Sequence, residues 1–274
     1  MTRIALIADL HFGSVPARLA EQLALDLHNI RPDLIIVAGD LTMRSTRVEF
    51  ADAKVWLEGL RAPLLVLPGN HDLPVWSIFE RFSNPFARYS QASGAKLMPV
   101  FEDGQSFILG LNTTASWQPS LRWQDGTVRR RDVAAARLLL SQAPPEKTRI
   151  VATHHPLSSI EGFPRSTRPV RRAARAVAML AEQNVEMLLS GHIHQTYAVS
   201  LQRAAGTVIA VGAPTALSTR VRGEPNGFWL IEVLPERFRL SLHSFDGAGF
   251  VAARTPVEFL RTHSISGNVG NTAN

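Results

Sequence analysis

Five short polar clusters along the chain combine carboxylate, amide and imidazole side chains at spacings suited to metal binding. They are DLH (9–11), GD (39–40), GNHD (69–72), THHP (153–156) and GHIH (191–194). Residues two apart in an extended segment point to the same side, so His192 and His194 can aim at one point. Each cluster alone is also typical of an ordinary turn or loop.

Every cluster lies at the end of a segment that begins with an apolar run and predicts a strand. These segments are 3–9, 33–40, 63–72, 148–156 and 185–192. In open α/β sheets, ligands bind beyond the carboxyl ends of the strands. Five unrelated turns would not place such side chains at matching strand ends by chance, so together the clusters predict one site. Gly39, Gly69 and Gly191 each precede a candidate ligand, and a residue without Cβ lets the backbone approach a crowded centre closely.

The donor atoms of the clusters restrict the metal. The chain has no cysteine, which excludes disulfides and thiolate ligands. Carboxylate, amide and imidazole donors suit Mn²⁺, Fe²⁺/Fe³⁺, Zn²⁺ or Co²⁺ better than a soft metal. There are too many donors for one tetrahedral ion. A pair of ions roughly 3.5–4 Å apart, sharing one carboxylate, accommodates them.

The elements that must position these clusters alternate between strands and helices. Helical periodicity predicts helices over 16–30, 46–60, 129–143 and 171–184, and the alternation predicts a layered α/β fold. The strand-like runs TYAVSLQ, TVIAVGA, GFWLIEVL and RFRLSLHSF then follow with no helix between them. They predict a second, more antiparallel sheet packed on the first. We expect one domain over residues 1–263 and a flexible tail over 264–274.

Composition sets the remaining limits. With 45% hydrophobic residues in 274, the chain can bury a sizeable core. No apolar run reaches the roughly 18 residues of a membrane helix, and no secretion signal is evident, so a cytoplasmic location is the default expectation. The formal charge of +6 includes arginine clusters at 129–132 and 165–175. These clusters form either solvated helix faces or a basic rim that attracts phosphate-bearing substrates. Aromatic residues are not interleaved with the arginines, so the clusters do not favour nucleic-acid binding.

The ordered set DxH, GD, GNHD, HHP and GHxH resembles the calcineurin-like metallophosphoesterase superfamily, and within it the bacterial class III cyclic-nucleotide phosphodiesterases. The motifs span Asp9 to His194, about two-thirds of the chain. The resemblance implies a four-layer αββα sandwich of two mixed sheets flanked by helices. It also implies two divalent or mixed-valence metal ions. Its implied ligands are Asp9, His11 and His194 for one ion, Asn70, His154 and His192 for the other, and Asp40 as the bridge.

Two neighbours of these ligands have roles that the resemblance leaves open. His71 would face the substrate, either contacting a phosphoryl oxygen or protonating the leaving group. Asp72 would orient His71 or stabilise the turn. The family pattern favours His154 over His155 as a ligand, whereas a change of strand register would favour His155.

The implied activity is hydrolysis of cyclic nucleotides or other small phosphodiesters by a hydroxide that bridges the two metals. An alternative is a UDP-2,3-diacylglucosamine-type pyrophosphatase, although relatives of that kind often carry arginine at the position of His71. A third is a non-catalytic metal-binding scaffold, which would be expected to have lost ligands. Three features stay open: dimerisation through the C-terminal strands, a wall over the site from residues 74–94, and a substrate pocket at Trp117 and Trp123.

Overall fold

The computed structural model describes residues 1–75, 77–117, 123–160, 170–203 and 206–261. Its strands are β1 (Thr2–Ile7), β2 (Leu34–Ala38), β3 (Leu64–Leu67), β4 (Val100–Glu102), β5 (Ser106–Gly110), β6 (Thr148–Ala152), β7 (Val185–Ser190), β8 (Tyr197–Arg203), β9 (Gly206–Gly212), β10 (Gly227–Val233), β11 (Arg237–Phe245), β12 (Phe250–Ala252) and β13 (Val257–Leu260). Its α-helices are α1 (Ala17–Ile30), α2 (Arg47–Glu58), α3 (Ile78–Ser83), α4 (Ala87–Ser93), α5 (Arg130–Ser141) and α6 (Ala173–Glu182). Short 3-10 helices cover Asn70–Asp72 and Trp123–Asp125.

The four helices predicted from periodicity are α1, α2, α5 and α6, each within two residues of its predicted bounds. Helix α2 begins at a capping box, in which the Thr46 hydroxyl accepts from the Glu49 N–H and the Glu49 carboxylate accepts from the Thr46 N–H. Within the described residues, no helix has the length and apolar character needed to cross a membrane. The predicted tail, residues 264–274, lies outside the described residues, and the single-domain boundary stays a prediction.

The strands form two mixed sheets. The first has the order β12-β11-β10-β1-β2-β3, with β13 also paired to β11, and the second has the order β4-β5-β6-β7-β9-β8. Strands β1, β2 and β3 are parallel to one another, as are β5, β6, β7 and β9. The site clusters therefore follow parallel strands in both sheets.

The C-terminal strands do not form the separate, more antiparallel sheet that the sequence predicted. Strands β8 and β9 join the second sheet beside β7, whereas β10 pairs antiparallel with β1 and carries β11 to β13 into the first sheet. That prediction was wrong because a strand's apolar pattern records burial and not which strand lies beside it.

The two sheets pack face to face, and helices cover their outer faces. In β1, Ile4 and Leu6 point into the core between the sheets, while Ala5 and Ile7 face the layer of α1 and α2. Helices α5 and α6 cover the second sheet through a third buried cluster. Trp229 of β10 is fully buried between the sheets, and its indole N–H donates to the Gly212 carbonyl of β9 at 2.9 Å. The predicted four-layer αββα sandwich is confirmed.

Two chain segments cross from one sheet to the other. Residues 68–99 connect β3 to β4, and residues 213–226 connect β9 to β10. Both crossings leave from the carboxyl end of a strand, so both begin at the edge where the clusters lie. The second segment is called the 213–226 crossover below.

The aromatic residues of 74–94 divide between core and surface. Phe86 and Tyr89 are buried with α1 and α2, whereas Phe79 is 82% exposed and Phe82 60% exposed. Trp76 and the side chain of Trp123 lie outside the described residues. Trp117 is 64% exposed.

The structure describes all of the arginine cluster at 129–132 and only residues 170–175 of the cluster at 165–175. Arg130, Arg131, Arg172 and Arg175 are exposed, which agrees with solvated helix faces for the described part of both clusters. Residues 165–169 lie outside the described residues.

A hydroxyl deletion tests whether α4 is part of the core. The Tyr89 hydroxyl donates to the Val66 carbonyl of β3 at 2.8 Å, at the edge of the first sheet. Tyr89→Phe leaves that buried carbonyl unpaired and should lower the free energy of unfolding by about 1–3 kcal/mol. Urea unfolding measures it. The exposed Phe79→Gln is the control and should change it by about 0.5 kcal/mol or less. Equal effects of the two variants would show that the helix is not packed as described.

Candidate metal centre

The carboxyl ends of the parallel strands of both sheets face each other. The His192 N–H, after β7, donates to Asp9 Oδ2 at 2.9 Å, and His154 Nδ1, after β6, lies 2.8 Å from the Ala38 carbonyl of β2. Because of these cross-sheet contacts, clusters that are far apart in the chain form one site. The structure brings together all seven candidate ligands: Asp9, His11, Asp40, Asn70, His154, His192 and His194.

The backbone of the site adopts an unusual conformation at many of these positions. Left-handed φ angles occur at Asp9 (55°), His11 (52°), Asp40 (53°), His192 (69°) and His194 (62°). This region is uncommon for residues other than glycine and persists only where the surrounding structure imposes it. Here the strand ends impose it, and the side chains of successive clusters turn inward.

Two glycines are required by crowding. A Cβ on Gly39, which has φ of 89°, would collide with the imidazole of His154. A Cβ on Gly69 would collide with the carboxylate of Asp40. These contacts agree with the sequence-based interpretation that glycine lets the backbone approach a crowded centre.

The first group of donors is Asp9, His11 and His194. Asp9 Oδ1 lies 3.9 Å from His11 Nε2 and 3.8 Å from His194 Nε2, too far for hydrogen bonds. Both Asp9 Oδ1 and His11 Nε2 are buried without a hydrogen-bond partner among the described residues. A shared cation would satisfy both, so these residues fit a metal ion.

Hydrogen bonds at the far side of three of the imidazole rings, those of His11, His154 and His194, orient Nε2 toward the centre. His11 Nδ1 lies 3.3 Å from the Thr42 carbonyl, and His154 Nδ1 lies 2.8 Å from the Ala38 carbonyl. A carbonyl only accepts, so Nδ1 carries the hydrogen and Nε2 keeps a lone pair. His194 Nδ1 lies 2.6 Å from the Thr215 hydroxyl. This arrangement is the usual one for histidine ligands of metals.

Asp40 lies between the two groups of donors. Its Oδ2 is 3.7 Å from His11 Nε2, and its Oδ1 is 3.5 Å from His154 Nε2. Asn70 Oδ1 lies 3.1 Å from the same His154 nitrogen, and the His192 ring lies 5.1 Å from the His154 ring. The two Asp40 oxygens therefore face different groups, as a bridging carboxylate would.

The two adjacent histidines of THHP differ in whether a ring nitrogen has a lone pair available for a metal ion. His155 Nε2 lies 2.8 Å from the Gln124 carbonyl and must carry the hydrogen, while Nδ1 accepts from the Thr113 hydroxyl at 2.8 Å. Both ring nitrogens of His155 are thus engaged within the protein. The geometry favours His154 as the ligand.

His71 and Asp72 occupy different environments despite being neighbours. The Asp72 carboxylate accepts from the backbone N–H groups of Leu41, Thr42 and Gly69 at 2.9–3.1 Å, so it stabilises the turn. The His71 ring is oriented instead by the Met43 carbonyl, 2.7 Å from Nδ1. His71 lies edge-on to His11, with ring centroids 4.8 Å apart, and so faces the site.

Burial determines the charge of the donors. It lowers the pKa of His11 to about 4, of His192 to about 3 and of His194 to about 2. The imidazoles are therefore neutral near pH 7, which is the form that binds metals. Burial, followed by the negative charge of Asp40, raises the pKa of Asp9 well above its usual value. A bound cation would reverse this effect by favouring the carboxylate.

Sequence reasoning missed two residues of the site, Thr215 and Arg220 of the 213–226 crossover. Thr215 contacts His194, and Arg220 Nη1 lies 3.1 Å from His71 Nε2. The rule applied to the other clusters, that ligands bind beyond the carboxyl ends of the strands, would also have found Thr215 and Arg220. The run TVIAVGA ends a parallel strand, and polar residues that follow it should reach the same edge.

The comparisons with known proteins agree with this geometry. The family model described as calcineurin-like phosphoesterase matches residues 2–196, a range that contains all seven candidate ligands. A probable cyclic nucleotide phosphodiesterase of Synechococcus sp. is 27% identical over 257 residues, which are 89% of this chain and 92% of that protein. The 3′,5′-cyclic adenosine monophosphate phosphodiesterase CpdA of Escherichia coli K12 is 28% identical over 204 residues, 71% of this chain and 68% of that protein.

A solved structure supports the fold. The crystal structure of a dimetal phosphatase from Danio rerio superposes with a TM-score of 0.68 at 12% sequence identity, covering 95% of this chain and 99% of that one. At this identity the likeness concerns the fold alone.

The neighbouring histidines of THHP provide a matched test of ligand assignment. We expect the wild type to bind about two Mn²⁺ per chain, and His154→Ala to bind about one, because Asp40 and Asn70 lose the nitrogen that faces them. His155→Ala should keep both ions while lowering the melting temperature, since it removes contacts to Thr113 and Gln124. Elemental analysis after desalting measures the ions. Loss of an ion from His155→Ala alone would reverse the assignment.

Proposed function

Because this chain belongs to the calcineurin-like phosphoesterase family and is a metal-dependent phosphoester hydrolase, we propose that it is a dinuclear phosphodiesterase of small substrates. The substrates proposed are cyclic nucleotides or other small phosphodiesters. The similar proteins of Synechococcus sp. and Escherichia coli carry the names of cyclic-nucleotide phosphodiesterases, which supports this substrate class.

The observation that carries the dinuclear proposal is the position of Asp40. Its two oxygens face His11 on one side and His154 on the other, at 3.7 and 3.5 Å. In this proposal Asp9, His11 and His194 would hold one ion, Asn70, His154 and His192 would hold the other, and Asp40 would bind both. Mn²⁺, Fe²⁺/Fe³⁺, Zn²⁺ or Co²⁺ would suit these nitrogen and oxygen donors.

The protein's own residues prepare the site for a phosphate ester. When bound, a metal pair lowers the pKa of water and neutralises the negative charge of the phosphate. Asp72 holds the 3-10 turn that presents Asn70 and His71, because its carboxylate accepts three backbone N–H groups. The carbonyls of Ala38 and Thr42 fix the orientation of His154 and His11 before substrate arrives.

A UDP-2,3-diacylglucosamine-type pyrophosphatase is the second candidate. The observation that favours it is the apolar face of α3, where Ile78 is 70% exposed and Phe79 82% exposed. Arg81 donates to the Pro74 carbonyl at 3.1 Å, which ties α3 to the chain that leaves the site after Asp72. Acyl chains would cover such a face. The histidine at position 71 favours the phosphodiesterase.

A substrate panel tests the proposed function. Metal-loaded protein should hydrolyse bis(p-nitrophenyl) phosphate with at least one of Mn²⁺, Co²⁺, Fe²⁺ and Zn²⁺, lose that activity in EDTA and regain it when metal is restored. Among cyclic AMP, 2′,3′-cyclic nucleotides, glycerophosphodiesters and UDP-diacylglucosamine, we expect the highest kcat/KM for a cyclic nucleotide.

Two outcomes of that panel would contradict the proposal. A higher kcat/KM for UDP-diacylglucosamine would establish the second candidate. Binding of two metals without hydrolysis of any ester would indicate a scaffold.

A comparison of leaving groups tests the role of His71. Its Nδ1 hydrogen is taken by the Met43 carbonyl and its Nε2 accepts from Arg220, so neither nitrogen offers a hydrogen to a leaving group. We therefore expect His71→Ala to lower kcat/KM by similar factors for bis(p-nitrophenyl) phosphate and for cyclic AMP, at unchanged manganese content. A general acid would instead give an extra loss of about 10²–10⁴-fold for the poorer alkoxide leaving group of cyclic AMP.

A further inference from the structure

We propose that Arg220 binds a non-bridging oxygen of the substrate's phosphoryl group, and that His71 and Thr215 hold Arg220 in place. The inference rests on the proposed function and adds a substrate-contact residue to it. Arg220 lies beyond residues 2–196, the part of the chain that the family model matches.

The guanidinium of Arg220 is placed beside the candidate ligands. Its Nη1 lies 3.1 Å from His71 Nε2 and 3.7 Å from Met43 Sδ. Since His71 Nδ1 carries its hydrogen toward the Met43 carbonyl, Nε2 is an acceptor and Arg220 is the donor. His71 is in turn in edge contact with His11, at 4.8 Å between ring centroids. The arginine is therefore one side chain away from the metal centre.

The crossover that carries Arg220 is held by hydrogen bonds on both sides of it. The Thr219 N–H donates to the Ser14 carbonyl at 3.1 Å, and the Ser14 and Thr219 hydroxyls lie 2.8 Å apart. The Arg220 N–H donates to the Ser218 hydroxyl at 3.1 Å, and Asn226 Nδ2 donates to the Ser218 carbonyl at 2.9 Å. The guanidinium thus extends from a fixed backbone, which reduces the entropy lost when it binds an anion.

Thr215 connects this crossover to a candidate metal ligand. Its hydroxyl donates to the Arg220 carbonyl at 3.1 Å, so its single hydrogen is used. The His194 Nδ1–H must then donate to the Thr215 oxygen, 2.6 Å away, which leaves His194 Nε2 free for metal. One threonine therefore orients both the arginine and a ligand.

The charge of Arg220 indicates an anionic partner. Arginine carries a positive charge, and its planar donors match the oxygens of a phosphate. Arg220 favours the ionised form of the Asp9 carboxylate, but two divalent ions would already neutralise Asp9 and Asp40, so the arginine then opposes the loading of two metal ions. A purely structural contact to His71 would not need that charge. An anion bound between the arginine and the metals removes this repulsion, and a phosphoryl oxygen is the anion that the proposed reaction brings there.

Binding of inorganic phosphate to manganese-loaded protein tests the contact independently of turnover. We expect Arg220→Gln to weaken phosphate binding in calorimetry, and to lower kcat/KM for bis(p-nitrophenyl) phosphate, by ~10–100-fold each, with manganese content unchanged. Arg220→Lys should recover part of both. Arg237→Gln, which removes an exposed arginine paired with Glu258 on β13, is the matched control and should change neither.

Each outcome for the Arg220 variants either supports or contradicts the proposed phosphate contact. Arg220→Gln that keeps two manganese ions and retains phosphate affinity and kcat/KM within about twofold would overturn the proposal. If Arg220→Gln lost manganese, the test would pass to Arg220→Lys, which keeps the positive charge. Recovery of manganese without recovery of phosphate affinity in Arg220→Lys would also refute the contact between Arg220 and the phosphoryl oxygen. Absence of hydrolysis by the wild type would count against the proposed function only, because phosphate binding still tests Arg220.

The positioning role of Thr215 has its own pair of variants. Thr215→Val keeps the shape of the side chain but removes the hydroxyl, and should weaken both manganese and phosphate binding. Thr215→Ser restores the hydroxyl and should restore both affinities. Equal behaviour of the two variants would show that Thr215 does not position Arg220 and His194.

Discussion

The burial of two carboxylates, Asp9 and Asp40, is the electrostatic constraint around which the site is arranged. A buried carboxylate without a partner is costly, and Asp9 Oδ1 has no hydrogen-bond partner among the described residues. The surrounding imidazoles cannot relieve this cost, because they are neutral and present lone pairs to the centre. Cations would relieve both groups at once. In that case the free energy of metal binding would also contribute to the stability of this end of the fold.

The backbone shows the same dependence. Asp40 and His192 have left-handed φ angles. Position 39 accepts only glycine, because a Cβ there would collide with the imidazole of His154. The left-handed conformation of Asp40 and His192 is unfavourable in an isolated peptide. It persists because the adjoining strands, β2 and β7, hold the chain at these positions. A bound cation would add to this by giving the inward-facing donors a shared partner. Disagreement between local preference and tertiary structure is typical of functional sites, and here it is concentrated at strand ends.

The sequence predicted which side chains the fold brings together more completely than it predicted the order of the strands, for a physical reason. Parallel strands of one sheet bring their carboxyl ends to one edge in any strand order, so Asp9 and Asp40 could be grouped without knowing which strands are neighbours. His154 follows β6 of the second sheet, and the packing of the two sheets brings it to the same edge. Strand order depends on contacts between distant residues, such as Ala5 with Leu230 across β1 and β10. Local patterns carry no such information, which explains the wrong assignment of the C-terminal strands. Strand β4 and helix α3 span three and six residues, too short for periodicity to be read.

Arg220 and Thr215 show what a motif-based reading leaves out. The candidate ligands all precede residue 196, whereas the side chains that orient His194 and flank His71 come from the crossover between β9 and β10. This crossover exists because the chain changes sheets there, and it must pass over the edge where both sheets present their donors. If Arg220 contacts the substrate as proposed, a change in the crossover sequence would alter substrate selection without altering the candidate ligands. Thr215 limits that independence, since it bonds both to the crossover backbone and to His194.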